Sequence, residues 1–188
     1  MAFNLPNALT WARIVMIPLV LAVFYLPADV LSLHHQNVVA CVLFCVAAIT
    51  DWFDGYLARR LGLTSAFGAF LDPVADKLMV CAALVLLVWL DRCNAALAFV
   101  IIGRELTISA LREWMAHIGA AKSVAVSMIG KLKTTAQMVA IPMLLFNDDL
   151  LGLPIHDMGA VLLIVAAVLT VWSMVYYMQR AFAEMRGP

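Results

Sequence analysis

Four aspartates lie within two otherwise apolar stretches, at spacings that place each pair on one face of a helix. Asp51 and Asp54 are three residues apart, and Asp72 and Asp76 are four apart; residues at these separations are neighbours on a helix surface. A charged side chain inside a membrane costs on the order of 3 kcal/mol, so it usually marks a functional site. Because four carboxylates can neutralise two divalent cations, the spacing predicts metal-assisted phosphoryl chemistry.

The composition is that of an integral membrane protein. Of the 188 residues, 65% are hydrophobic and 13% are charged, whereas a soluble domain is about half apolar and a quarter charged. The net charge of +0 gives no field that would attract nucleic acid, so no nucleic-acid partner is expected. We expect one all-α domain over residues 1–188, with a short amphipathic interfacial helix at the N-terminus and six membrane-spanning helices. The expected spans are 10–27, 37–60, 67–90, 93–116, 129–147 and 157–180.

Basic residues indicate the orientation in the membrane. On this map all but one of the 12 Lys and Arg residues lie toward the same side, and Arg92 alone lies toward the other. Because cytoplasmic loops carry the excess of basic residues, both termini are expected in the cytoplasm. Counted from the outer ends of their spans, Asp51 and Asp76 lie about 21–22 Å deep. The acidic site is therefore expected just inside the cytoplasmic boundary, between two helices that a short loop keeps adjacent.

Several residues around the aspartates have properties that suit a phosphorylated ligand. Gly55, Ala58 and Gly68 have little or no side chain, so a substrate can approach the backbone there. Arg59 offers a planar set of donors to phosphate. The four aspartates themselves supply the oxygen ligands that two hard cations, Mg²⁺ or Mn²⁺, prefer.

Four further basic residues are candidates for binding the phosphate of an acceptor. Arg104 lies well within the fourth span, where an arginine must be paired or line a polar cavity, and Arg112 lies close to the same face. Glu105 is about 100° from Arg104 around the helix, so it is not an obvious partner. Lys131 and Lys133 open the fifth span; for them the alternative is anchoring at the membrane interface, with the charge reaching out to water.

Two other interpretations of the acidic cluster remain open at this point. The acids could form a structural network between helices, neutralised by Arg59 and Lys77. They could also bind a divalent cation for transport. Transport sites tend to lie near the bilayer midplane between structural repeats, whereas this cluster is off-centre and the chain shows no repeat.

The chain resembles the CDP-alcohol phosphotransferase family over almost its whole length. The family signature is matched at every defined position by Asp51-x2-Asp54-Gly55-x2-Ala58-Arg59-x8-Gly68-x3-Asp72-x3-Asp76. Eight specified residues at fixed spacing make this a specific match. The segments 6–13, 103–105, 109–114 and 130–137 are also similar to the family, and the last three resemble the branch that uses glycerol phosphate as acceptor.

The resemblance implies a reaction and an assembly. The reaction is transfer of the phosphatidyl group from CDP-diacylglycerol to sn-glycerol 3-phosphate, with release of CMP. The assembly is a homodimer among the lipids of the bacterial inner membrane, with an active site that opens to the cytoplasm. In family terms Asp76 is the candidate general base. The metal ligands would be Asp51, Asp54, Asp72 and Asp76; the donor would be bound by Gly55, Ala58, Arg59 and Gly68; and the acceptor phosphate by Arg104, Arg112, Lys131 and Lys133.

The signature does not determine the acceptor. Other branches of the family use inositol phosphate, serine or phosphatidylglycerol. The basic cluster favours a phosphorylated acceptor, and the local similarities favour glycerol phosphate.

Overall fold

Six α-helices account for nearly all of the chain that the computed structural model describes, which is residues 5–61, 66–119 and 128–185. A single 3-10 turn at Val23–Tyr25 follows the first helix, and no strand occurs in these ranges. The expected all-α architecture with six helices is confirmed. The helices are α1 (Leu5–Ala22), α2 (Leu33–Leu61), α3 (Ala66–Trp89), α4 (Ala95–His117), α5 (Met128–Phe146) and α6 (Ile155–Met185).

The helix ends differ from the expected ones mainly at the N-terminus and in α6. The N-terminal segment, expected to be a short separate helix, is continuous with α1 from Leu5 onward, and α6 continues to Met185. α5 passes through Pro142 as one helix. Within the described residues, three helices are long and apolar enough to cross a membrane by length and composition: α1 with its 3-10 turn, α2 and α6. The described apolar stretch of α5, Leu132–Phe146, is shorter.

Contacts at the end of the bundle opposite the acids establish that successive helices run antiparallel. Tyr25 after α1 stacks on Trp89 at the end of α3, with ring centroids 5.8 Å apart. Arg92, the one basic residue expected on this side, is buried and donates to the Leu145 carbonyl at 2.9 Å and to Asn37 Oδ1 at 2.7 Å. The last carbonyls of a helix have no partner within that helix. The Arg92 guanidinium therefore satisfies the end of α5 and ties it to α2.

α1 packs against both α2 and α3, whereas these two helices touch each other over a short stretch of the described residues. Small side chains allow close approach, as is usual between helices in lipid: Ala40, Ala47 and Ala75 are fully or almost fully buried. At Gly159 in α6, a Cβ atom would lie 2.9 Å from Met143 Cβ in α5. The consequence for function is that α1 is positioned to contact the acids of both α2 and α3.

Candidate active site

The acids of α2 and α3 meet at a side chain that comes from α1. Arg13 Nη1 lies 2.6 Å from Asp51 Oδ1 and 2.8 Å from Asp76 Oδ1. The Arg13 side chain is fully buried, while those of Asp51 and Asp76 are 31% and 37% exposed. Because both oxygens contact the same nitrogen, the two carboxylates lie within reach of a single cation.

A second residue of α1 contacts the third described acid. Thr10 Oγ1 donates a hydrogen bond of 2.5 Å to Asp72 Oδ1, and Thr10 is almost completely buried. Thr10 and Arg13 are three residues apart, so they share one face of α1. α1 thus links the two acidic helices, which the sequence predicted to be neighbours joined by a short loop. Pro73, between the two acids of α3, lacks the amide hydrogen that would bond one turn earlier, so it interrupts the hydrogen-bond ladder there.

The described acids are chemically suited to a hard divalent cation, since carboxylate oxygens are the preferred ligands of Mg²⁺ and Mn²⁺. Two of them already converge on one positive group, and both retain accessible surface. Over the residues that the structure describes, no three His, Cys, Asp or Glu side chains form a ready metal cluster. The fourth acid, Asp54, has a side chain outside the described part, so the convergence of all four remains a prediction.

Other expected site residues also fall outside the description. The side chains of Ala58 and Arg59 and the surroundings of Gly55 are not described, nor is the side chain of Lys131. Gly68 is described and buried. Lys77 forms no ion pair with a described acid. At Asp51 and Asp76 the described counter-cation is Arg13, and neutralisation by Arg59 remains a prediction.

A cavity of about 420 Å³ adjoins the acids and is lined by residues of α3, α4 and α5. Its volume lies in the range typical of small-molecule sites. Asp76 belongs both to the acidic cluster and to the wall of this cavity. The other polar residues of the wall are Lys77, Arg104, Glu105, Ser109, Arg112, Thr134 and Gln137.

α6 positions the two arginines of this wall. Arg104 Nη2 donates to Ser173 Oγ at 2.8 Å, and the Arg104 and Arg112 guanidinium carbons lie 6.0 and 5.4 Å from the centroid of the Tyr177 ring. Tyr177 and Ser173 are buried. These distances permit cation–π attraction, which strengthens as water is removed. The arginines are therefore held in place before a ligand arrives.

Lys133 and Glu105 form a buried ion pair between α5 and α4. Lys133 Nζ contacts Glu105 Oε1 directly, and Lys133 is 1% exposed. Arg104 Nη1 is a weaker partner of the same oxygen, at 3.5 Å. Glu105 is thus the carboxylate at the centre of the basic cluster. Its position on the helix, about 100° from Arg104, had made it an unlikely partner for Arg104 in the sequence. Glu105 lines the cavity; Lys133 is not part of its wall.

The two hydroxyl groups of the cavity wall donate to their own helices. Ser109 Oγ donates to the Glu105 carbonyl at 2.6 Å, and Thr134 Oγ1 donates to the Gly130 carbonyl at 2.9 Å. Such bonds to the preceding turn are common for Ser and Thr within helices. A phosphate in the cavity would therefore find its donors mainly in the arginines, Lys77 and the Gln137 amide.

Comparison with known proteins assigns this arrangement to a family. The family model for CDP-alcohol phosphatidyltransferase matches residues 3–172. The chain belongs to the CDP-alcohol phosphatidyltransferase family. It is 49% identical over 190 aligned positions to proteins named CDP-diacylglycerol–glycerol-3-phosphate 3-phosphatidyltransferase from Escherichia coli strain K12 and from Shigella flexneri, and in each case 98% of both chains is covered.

Family membership confirms the resemblance that the aspartate signature indicated. Ser173 and Tyr177 were not singled out in the sequence, and Glu105 was set aside as a partner of Arg104. For Thr10 and Arg13, in the family-like N-terminal segment, the sequence suggested contact with the nucleotide or headgroup, or a capping or anchoring role, and not contact with the acids. The sequence does indicate that Arg13 has a partner, because an arginine within an apolar span must be paired. It does not indicate which residue that partner is.

A larger groove on the bundle lacks the charged side chains that line the cavity beside Asp76. It has a volume of about 1080 Å³, lies between α4 and α6, and has no charged side chain in its wall. Its lining includes Val100, Val168 and Trp172. The smaller cavity beside Asp76, whose wall carries charged side chains, is the better candidate for the active site.

Proposed function

We propose that this protein transfers the phosphatidyl group of CDP-diacylglycerol to sn-glycerol 3-phosphate and releases CMP. One observation carries the proposal: a cavity with two positioned arginines opens directly onto Asp76, which also belongs to the acidic cluster. The names of the relatives at 49% identity support the same reaction. The polar acceptor enters from the cytoplasm, while the lipid chains of the donor stay in the bilayer.

The acceptor phosphate binds at Arg104 and Arg112. Guanidinium groups form paired hydrogen bonds with phosphate oxygens, and Ser173 and Tyr177 limit how far these two can move. Lys131 and Lys133 remain proposed contributors. The contact between Lys133 and Glu105 supports an additional role for Lys133, which is to hold the Glu105 carboxylate away from the incoming phosphate.

Asp76 acts as the general base for the acceptor hydroxyl. As the hydroxyl oxygen forms a bond to the phosphorus that carries diacylglycerol, its proton moves to the Asp76 carboxylate. The bond between that phosphorus and the oxygen of CMP breaks, and CMP leaves with the bonding electrons. The position of Asp76 at the cavity wall allows contact with an acceptor whose phosphate is held by the arginines.

The metal-binding residues are proposed to be Asp51, Asp54, Asp72 and Asp76, with two Mg²⁺ or Mn²⁺ ions. Their carboxylate oxygens fit such ions. When bound, the ions supply charge neutralisation for the pyrophosphate of the donor. Gly55, Ala58, Arg59 and Gly68 are proposed to accommodate the nucleotide end of the donor. We also propose a homodimer in the bacterial inner membrane with both termini in the cytoplasm, in keeping with the distribution of basic residues.

The experiment that tests the reaction measures CMP release by the purified protein with CDP-diacylglycerol and Mg²⁺. The acceptors to compare are sn-glycerol 3-phosphate, inositol phosphate, serine and phosphatidylglycerol. We expect CMP only with sn-glycerol 3-phosphate; release with another acceptor would reassign the protein within the family. Cation flux in vesicles without any CMP release would instead support the transport interpretation.

Replacement of Arg104 with Ala is expected to raise the KM for sn-glycerol 3-phosphate by about 10- to 100-fold, because hydrogen bonds to charged groups contribute about 1.5–3 kcal/mol. The KM for CDP-diacylglycerol is expected to change little. The measurement is steady-state CMP release at varied concentrations of each substrate. An unchanged KM for sn-glycerol 3-phosphate would contradict the placement of its phosphate at Arg104.

A further inference from the structure

The proposed reaction does not explain why a fully buried guanidinium lies at the centre of the acidic cluster. Arg13 Nη1 contacts one carboxylate oxygen of α2 and one of α3, at 2.6 and 2.8 Å. A positive charge shared by two acids is the compensation that neighbouring carboxylates require. In this protein α1 supplies that charge from within the chain.

Among the described contacts, two carboxylates share the Arg13 guanidinium, and the third, that of Asp72, accepts a hydrogen bond from the Thr10 hydroxyl. Asp51 and Asp76 are about one-third exposed, so an ion from the cytoplasm can reach their oxygens while Arg13 stays covered.

We propose that Arg13 is a resident counter-cation that exchanges with a divalent ion at Asp51 and Asp76. Without the ion, the guanidinium neutralises both carboxylates and holds α1 against α2 and α3. An ion that binds to the same oxygens competes with both contacts. Arg13 therefore lowers the affinity for the ion and stabilises the protein without it. This inference rests on the proposed metal-dependent function, but it concerns the response of the chain to the ion alone.

The exchange also couples the ion to the position of α1. Arg13 and Thr10 are the two residues of α1 with described contacts to the acids, and they lie on one face of the helix. Once Arg13 is released, Thr10 remains as the link to Asp72. Arg13 is accordingly a positioning residue, and its effect is measurable without any substrate.

The test compares Mn²⁺ binding by the wild-type protein and by Arg13→Gln, purified in detergent without substrate, with free Mn²⁺ measured by electron paramagnetic resonance. Glutamine removes the charge but keeps a polar side chain. We expect the variant to bind Mn²⁺ about tenfold more tightly or better, because two charge-assisted contacts no longer compete. Without metal, the Tm of the variant is expected to be lower than that of the wild type. Saturating Mn²⁺ is expected to raise the Tm of the variant by more than it raises the Tm of the wild type.

Arg180→Gln is the matched control. Its guanidinium lies 4.9 Å from the Tyr176 ring near the end of α6, and it forms no ion pair with a described acid, so its Mn²⁺ affinity should equal that of the wild type. If Arg13→Gln does not fold, Arg13→Lys replaces it. The shorter lysine carries a point charge in place of the planar fork, so we expect about threefold tighter Mn²⁺ binding or more.

Two results would overturn the proposal, and they are distinguishable. Equal or weaker Mn²⁺ binding by the Arg13 variants, with clear binding by the wild type, would reject the exchange and leave the metal-dependent function intact. Absence of Mn²⁺ binding by the wild type and by both Arg13 variants, with Asp51→Asn indistinguishable from them, would reject the exchange together with the metal in the proposed function.

Discussion

Replacement of Asp76 with Asn is expected to lower kcat by a factor of about 10² to 10⁴, the usual contribution of a positioned general base. Asparagine has nearly the same shape and keeps an oxygen that can accept a hydrogen bond from Arg13. It cannot take a proton from the acceptor hydroxyl. The loss should therefore fall on the chemical step, and CDP-diacylglycerol binding should be retained in part.

The measurement is single-turnover release of CMP, combined with a binding assay for CDP-diacylglycerol. Asp157→Asn is a suitable control, because it makes the same chemical change in the first turn of α6, at the opposite end of the bundle. Its kcat should match that of the wild type. A kcat within about threefold of the wild type in Asp76→Asn would rule out the assignment of Asp76 as the base.

Replacement of Lys133 with Met is expected to destabilise the protein by about 3–5 kcal/mol, because it leaves the Glu105 carboxylate without its closest cation in a largely buried position. For a chain of this size, that loss corresponds to a decrease in Tm of roughly 10 °C. Methionine is apolar and of similar length, so the steric change is small. Thermal unfolding in detergent, followed by tryptophan fluorescence, gives the Tm.

The double variant Lys133→Met/Glu105→Gln separates the ion pair from packing. Removal of both charges should recover at least half of the lost Tm, because no buried charge is left without a partner. Lys77→Met serves as the control, since Lys77 has no described ion pair and should shift the Tm by about 2 °C or less. Additive losses in the double variant would show that Lys133 and Glu105 do not stabilise each other.

The sequence was sufficient to predict the architecture and the chemical class. A membrane span depends on the length and hydrophobicity of one segment, which are local properties, and all six helices occur close to their expected positions. The placement of each acidic pair on one helix face is also local, because it follows from helical periodicity. The signature from Asp51 to Asp76 indicated the family, which the comparison confirms. The roles of Asp54, Arg59 and Lys131 remain predictions, since their side chains lie outside the described part.

The tertiary structure alone determined which cations the acids meet. Arg13 is 63 residues from Asp76, and Lys133 is 28 residues from Glu105. Helical periodicity places a side chain on a face of its own helix, but it does not specify which other helix will pack there. α1 packs against both α2 and α3, and α6 brings Ser173 and Tyr177 to the arginines of α4. These pairings depend on the packing of several helices at once, because a charge buried in the membrane takes whichever partner that packing brings within reach.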